Sequence, residues 1–187
     1  FGLDKEKEMG KYMHEYGAKK ALIIYGSERV KQSGLFEDVA KSLREQGIEY
    51  IECGGVKSNP TISKVRKAVT MAKAFGADSV LSIGGGSCLD SAKAIAAGAC
   101  YDGDTWDFFK GTLVQKALMI FDVITLAATG SEMNWGSVIT NEETQQKYSI
   151  HNNHLFPKVS VINPKLQATV SRDYLVYSAA DIIAHSI

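Results

Sequence analysis

An α/β fold with a mainly parallel sheet and flanking helices is predicted by three observations on this sequence. Apolar runs too short for helices alternate with stretches of helical period. Short, glycine-bearing connections join them, which implies right-handed β-α-β crossovers. A glycine triplet, Gly84-Gly85-Gly86, stands where one such run gives way to a helix.

Each element has its own justification. Residues 4–16 place Met9, Tyr12, Met13 and Tyr16 near helical spacing, and Gly17 ends that helix. Residues 21–25 form a short apolar run stopped by Gly26, the pattern of a strand buried on both faces. Helical period returns over 33–46 with Leu35, Phe36, Val39 and Leu43, and Gly47 closes it. A strand over 48–52, a helix over 62–75 ended by Gly76, a strand over 80–83 and a helix over 88–99 follow. Beyond them, 120–125 and 137–140 read as strands, with a turn over 142–145 between Ile139 and Tyr148. Residues 159–162 are the last strand, ended by Asn163-Pro164, and Ser171 caps a helix running to Ile187. No internal repeat or low-complexity tract is visible.

Composition narrows the function classes. At 187 residues the chain suits one good-sized domain, or one domain plus a piece of another. Lysine plus arginine and aspartate plus glutamate number 21 each, so no charge field points to nucleic acid or a membrane surface. No apolar run reaches the roughly 20 residues that cross a bilayer. Cys53, Cys88 and Cys100 are odd in number and lack C-x-x-C spacing, which fits reduced thiols and a cytoplasmic location. The opening Phe1-Gly2-Leu3 resembles neither a signal nor a transit peptide and lacks an initiator methionine; both ends read as trimmed.

Three segments carry candidate chemistry. In Gly84-Gly85-Gly86-Ser87-x-x-Asp90-x-x-Lys93, glycines at a strand-to-helix junction let a ligand approach the backbone, and the helix N-terminus favours an anion. These are the requirements of a pyrophosphate cradle, although neither G-x-G-x-x-G nor a P-loop is present. A tight turn with Ser87 as cap and Asp90 as a first-turn acid explains the same residues. Residues 125–132, with Thr125, Thr129 and Ser131, offer hydroxyls at another strand end for phosphate or ribose; ordinary turn bonds are the alternative. Gly26-Ser27-Glu28-Arg29 ends the first strand in the same way, and Arg29 there could face an extra phosphate or simply water. Finally, Asp181 and His185 are spaced to share one helix face and so one divalent ion, or to form a surface pair.

Taken in order, the glycine motif over 84–93, the Thr125–Glu132 segment and Asp181-x-x-x-His185 resemble the iron-containing (group III) alcohol dehydrogenases, nearest the butanol dehydrogenase type, over essentially the whole chain. The resemblance implies a Rossmann-like dinucleotide-binding domain over residues 1–170. Residues 171–187 would be the first helix of a helical, metal-binding domain that is mostly absent. It implies that Gly85, Gly86 and Ser87 hold the pyrophosphate with Asp90 nearby, and that Thr125, Thr129, Ser131 and Asn134 line the nicotinamide side. Lys147, Asn59 and Leu166 match further cofactor positions. Gly26, Ser27 and Arg29 fall where members choose their dinucleotide; the lack of an acid in the first two places favours NADP, with Glu28 leaving NAD open. Asp181 and His185 would hold iron or zinc with two histidines from the helical domain, while His14, His151 and His154 read as loop or surface residues. The implied substrate is a small alcohol or aldehyde, the implied assembly a homodimer, and this piece alone is expected to be inactive. A stand-alone nucleotide-binding module without catalysis is the competing reading. Ala127 and Ser171 stand where relatives often carry proline, and Asn163 where they carry aspartate.

Overall fold

The computed structural model describes residues 1–187 except Thr169, and the backbone alone of His185. A 3₁₀ turn (Lys5–Glu8) leads into α1 (Met9–Glu15), β1 (Lys20–Tyr25), α2 (Arg29–Gln32), α3 (Leu35–Glu45) and β2 (Glu49–Cys53). Then come α4 (Ile62–Phe75), β3 (Ser79–Gly84), α5 (Gly86–Ala99), α6 (Trp106–Phe109) and β4 (Met119–Ile124). The chain continues through β5 (Gly136–Asn141), β6 (Gln146–His151), β7 (Val159–Ile162), α7 (Pro164–Gln167) and α8 (Arg172–Ser186).

Five strands form one sheet in the order β2-β1-β3-β4-β7, and every pairing in it is parallel. Residues along each strand alternate between its two faces. Leu22, Ile24, Val80 and Ile120 meet α4 and α5 in one core, whereas Ile23, Leu81, Phe121 and Val123 meet α1 and α3 in the other. Burial on both faces is why β1 and β3 read as unbroken apolar runs. The chain leaves β1 toward β2 and then returns to lay β3 on the other flank of β1. That reversal makes the carboxyl ends of β1 and β3 a topological switch point, where open α/β sheets bind ligands.

Several boundaries differ from the sequence reading for identifiable reasons. The first helix is α only from Met9, its earlier residues being a 3₁₀ turn. The helix expected from residue 33 starts at Leu35, because Gly34 takes a left-handed backbone with φ 82°. Four-residue α2, α6 and α7 are too short to show a period. The strand expected over 137–140 pairs antiparallel with β6 in a hairpin separate from the main sheet. α1 crosses α3 so closely that a Cβ on Gly10 would lie 2.0 Å from the Ser42 carbonyl oxygen. The Gly10 amide instead donates to Ser42 Oγ at 2.8 Å.

Candidate functional site

β3 ends at Gly84 and α5 begins at Gly86, so the single residue Gly85 turns strand into helix. The Cys88 and Leu89 amides donate to the Gly85 carbonyl at 3.0 and 3.3 Å. Those of Gly86 and Ser87 have no acceptor among the described residues. Uncommitted amides at the positive end of a 14-residue helix are what an oxyanion seeks. A Cβ on Gly86 would come within 2.4 Å of Thr129 Oγ1, so glycine is what lets the segment after β4 pack against this turn.

That segment and the β5–β6 hairpin enclose the turn in a cleft of about 690 Å³. Gly86, Ser87 and Asp90 line one side, Thr129, Ser131 and Asn134 a second, and Asn59, Pro60, Val138 and Lys147 a third. Trp135, Gly136, His151 and Asp181 complete it. The hairpin is tied down from several elements. The Thr140 amide donates to the Pro60 carbonyl at 2.8 Å, and Tyr148 stacks on Trp106 with centroids 5.7 Å apart. Lys147 Nζ donates to Asn59 Oδ1 at 2.8 Å. Asn59 holds a left-handed φ of 54°, a conformation asparagine tolerates better than most residues.

The inner wall is polar and buried. Asp90 Oδ1 accepts from Ser131 Oγ at 2.7 Å, and Asp90 Oδ2 from the Val138 amide at 3.1 Å. Burial raises its carboxyl above the ordinary aspartate value, and the Ser131 hydroxyl partly opposes that. Lys93 is fully buried, and burial pulls its ammonium down to about 8. Burial, with Asp122 adding to it, pushes the Cys88 thiol up to about 12, so this helix-end cysteine stays protonated and is no nucleophile.

Of the residues singled out in the sequence, Asn59, Gly86, Ser87, Asp90, Thr129, Ser131, Asn134, Lys147 and Asp181 line this one cleft. Gly85 forms the turn behind it. Gly26, Ser27 and Arg29 follow β1 at the neighbouring strand end, outside the lining. Thr125 follows β4, its amide on the Gly84 carbonyl at 2.9 Å, and Leu166 sits on α7, packed against the core on the α1/α3 face. Asp181 is exposed on α8; the His185 side chain lies outside the described residues. Among the described residues no three metal-ligating side chains come together. His151, read as a loop or surface residue, closes β6 and lines the cleft. Trp135, Gly136, Val138 and Pro60 were not singled out, and only the hairpin's placement over the turn brings them in. Lys93 stood in the glycine motif without a role, and the sequence carries no mark of the loop oxygens that its ammonium meets.

Residues 1–164 match the family described as iron-containing alcohol dehydrogenase. The chain belongs to that family. Among iron-containing alcohol dehydrogenases and their kin, it is 42% identical over 186 residues to the probable NADH-dependent butanol dehydrogenase 1 of Bacillus subtilis, covering 99% of this chain and 48% of that protein. It is 33% identical over 172 residues to an NADPH-dependent aldehyde reductase of Escherichia coli, covering 90% of this chain and 44% of that protein. The solved structure of NADH-dependent butanol dehydrogenase A from Thermotoga maritima superposes with a TM-score of 0.96 at 47% identity, covering 99% of this chain and 47% of that one. The chain thus spans about half the length of the relatives it matches. No helix among the described residues is long and apolar enough to cross a membrane.

Proposed function

We propose that this chain is the dinucleotide-binding half of a metal-dependent, NAD(P)-linked alcohol dehydrogenase that interconverts small alcohols and aldehydes. One observation carries the reading: a single cleft is shared by the glycine turn, the Thr129–Asn134 wall, the Lys147–Asn59 pair and Asp181. In it the amides of Gly86 and Ser87 would bind the pyrophosphate, as uncommitted helix-end donors do. Thr129, Ser131 and Asn134 would orient the nicotinamide, and Lys147 would reach across from the hairpin. Residues 1–170 would form the nucleotide domain, and α8 would open a helical one. Tyr174, Leu175, Val176, Tyr177, Ile182 and Ile183 are all exposed on α8, the surface such a domain would cover.

Asp181 has no bonding partner among the described residues and faces the cleft, so its carboxylate fits a divalent cation. With His185, and with ligands from the rest of the protein, it would hold iron or zinc, which supplies Lewis-acid polarisation of the substrate oxygen. The dinucleotide choice belongs to the end of β1. Arg29, exposed and without a partner among the described residues, together with the missing acid at Gly26 and Ser27, supports NADP. Glu28, and Glu52 paired with Lys31 at 2.8 Å on the neighbouring strand, support NAD.

Calorimetric titration with NADP and with NAD, each with and without zinc or ferrous ion, tests the proposal. Micromolar-to-millimolar binding of one dinucleotide, with weak metal binding by the chain alone, is the expected result. No heat with either dinucleotide on the folded chain would sink the reading.

A further inference from the structure

Lys93 is among the largest fully buried side chains described, one helical turn from Asp90 and from Leu89, Ala96 and Ala97 on the same face of α5. A buried ammonium carries a desolvation cost that an apolar residue of equal volume avoids, so its surroundings must compensate. They do so from one place. Lys93 Nζ donates to the Ser131 carbonyl at 2.7 Å and Ser131 Oγ at 3.0 Å, to the Asn134 carbonyl at 2.9 Å and Asn134 Oδ1 at 3.0 Å, and to the Gly136 carbonyl at 2.9 Å. Five oxygens share three N–H groups, and all belong to the stretch that runs from β4 into the first residue of the hairpin.

The bonds set what the cleft presents. Ser131 Oγ accepts from Lys93 and donates to Asp90 Oδ1 at 2.7 Å, which fixes its proton away from a ligand. Asn134 Oδ1 is taken by Lys93 and by the Gly136 amide at 2.9 Å, so the amide cannot flip. Its Nδ2 donates to the Gly130 carbonyl at 3.1 Å, and its second N–H has no acceptor among the described residues. We infer that Lys93 is a positioning residue: it locks residues 131–136 so that the cleft offers a dinucleotide an accepting Ser131 oxygen and a donating Asn134 N–H. The role rests on the dinucleotide reading, but the lock does not.

Trp135 lies between two of the clamped residues and is 45% exposed, whereas Trp106, the other tryptophan, is 2% exposed. Acrylamide quenching of tryptophan emission therefore reports on the clamped segment. In Lys93→Met, folded by far-UV circular dichroism, quenching should rise at least twofold and affinity for the preferred dinucleotide fall at least tenfold, with Lys93→Arg recovering part of both. A folded Lys93→Met chain with unchanged affinity overturns the inference. If the wild type binds neither dinucleotide, the dinucleotide reading fails, and unchanged quenching then overturns the lock itself. Should Lys93→Met not fold, the wild type decides. Its quenching should step up near pH 8 as the ammonium is lost, with Asp90 on the same helix, Asp122 on β4 and Glu132 as the charged groups around it. A flat profile from pH 6.5 to 9.5 overturns the inference.

Discussion

At the scale of single residues, one buried amide ties α7 to the 3₁₀ turn before α1. Asn163 is buried, and its Nδ2 donates to Glu6 Oε2 at 2.9 Å, while its Oδ1 caps α7 by accepting from the Lys165 amide at 3.0 Å. Aspartate could keep the cap but would set two carboxylates face to face, and both cannot stay ionised so close together. Asn163→Asp should therefore cost about 2–3 kcal/mol at pH 7. The introduced pair has a folded-state pKa raised above its unfolded value, so the loss belongs to neutral pH and shrinks as pH falls toward 4.5. Urea denaturation of both proteins at the two pH values checks this; equal midpoints at pH 7 would show that the Glu6 contact contributes nothing. The Glu6 contact was not legible in the sequence, because 157 residues separate the partners.

At the scale of elements, the alternation of strands and helices was legible wherever an element buries a continuous face. β1 and β3 are enclosed on both sides, and α3 buries Leu35, Phe36, Val39, Ala40 and Leu43 along one stripe. The α1–α3 crossing was not legible, since Gly10 looks like a mere interruption of an apolar stripe until its neighbour is known. Gly10→Ala gains helix propensity, worth about 1 kcal/mol in an open helix. Here the new methyl meets the Ser42 backbone, which cannot rotate away. Overpacking of about 1–3 kcal/mol should win, giving net destabilisation in a thermal melt; a raised Tm would mean the helices can part at little cost.

At the scale of the whole molecule, one buried group should dominate the pH dependence of stability. Asp122 lies in β4, opposite Ser82 of β3 and Ser160 of β7, and is fully buried. Ser82 is near enough to favour the ionised carboxyl, yet neither Asp122 oxygen nor the Ser82 hydroxyl makes a well-formed hydrogen bond among the described residues. Burial prevails and holds the Asp122 pKa well above the usual aspartate value. Because the folded form keeps a proton that the unfolded chain releases near pH 4, this stabilisation is full below that pH. It is lost as pH rises toward the folded pKa, by up to about 1.4 kcal/mol per pH unit. Asp122→Asn cannot titrate, so its advantage over the wild type should widen between pH 5 and pH 8. Parallel denaturant profiles at those two pH values would rule the account out.

Local chemistry along the chain was enough to decide the longer helices, the strands of the parallel sheet and the glycine turn, because burial and backbone freedom leave periodic marks on sequence. The three ordered motifs were enough to point to the iron-containing alcohol dehydrogenases, a membership that the match over residues 1–164 establishes. Only the folded chain decides that β5 and β6 lie over the turn, that Trp135 and His151 share its cleft, and that Lys93 is buried among loop oxygens rather than solvated. Those outcomes depend on contacts between segments about 40 or more residues apart, which no local periodicity records.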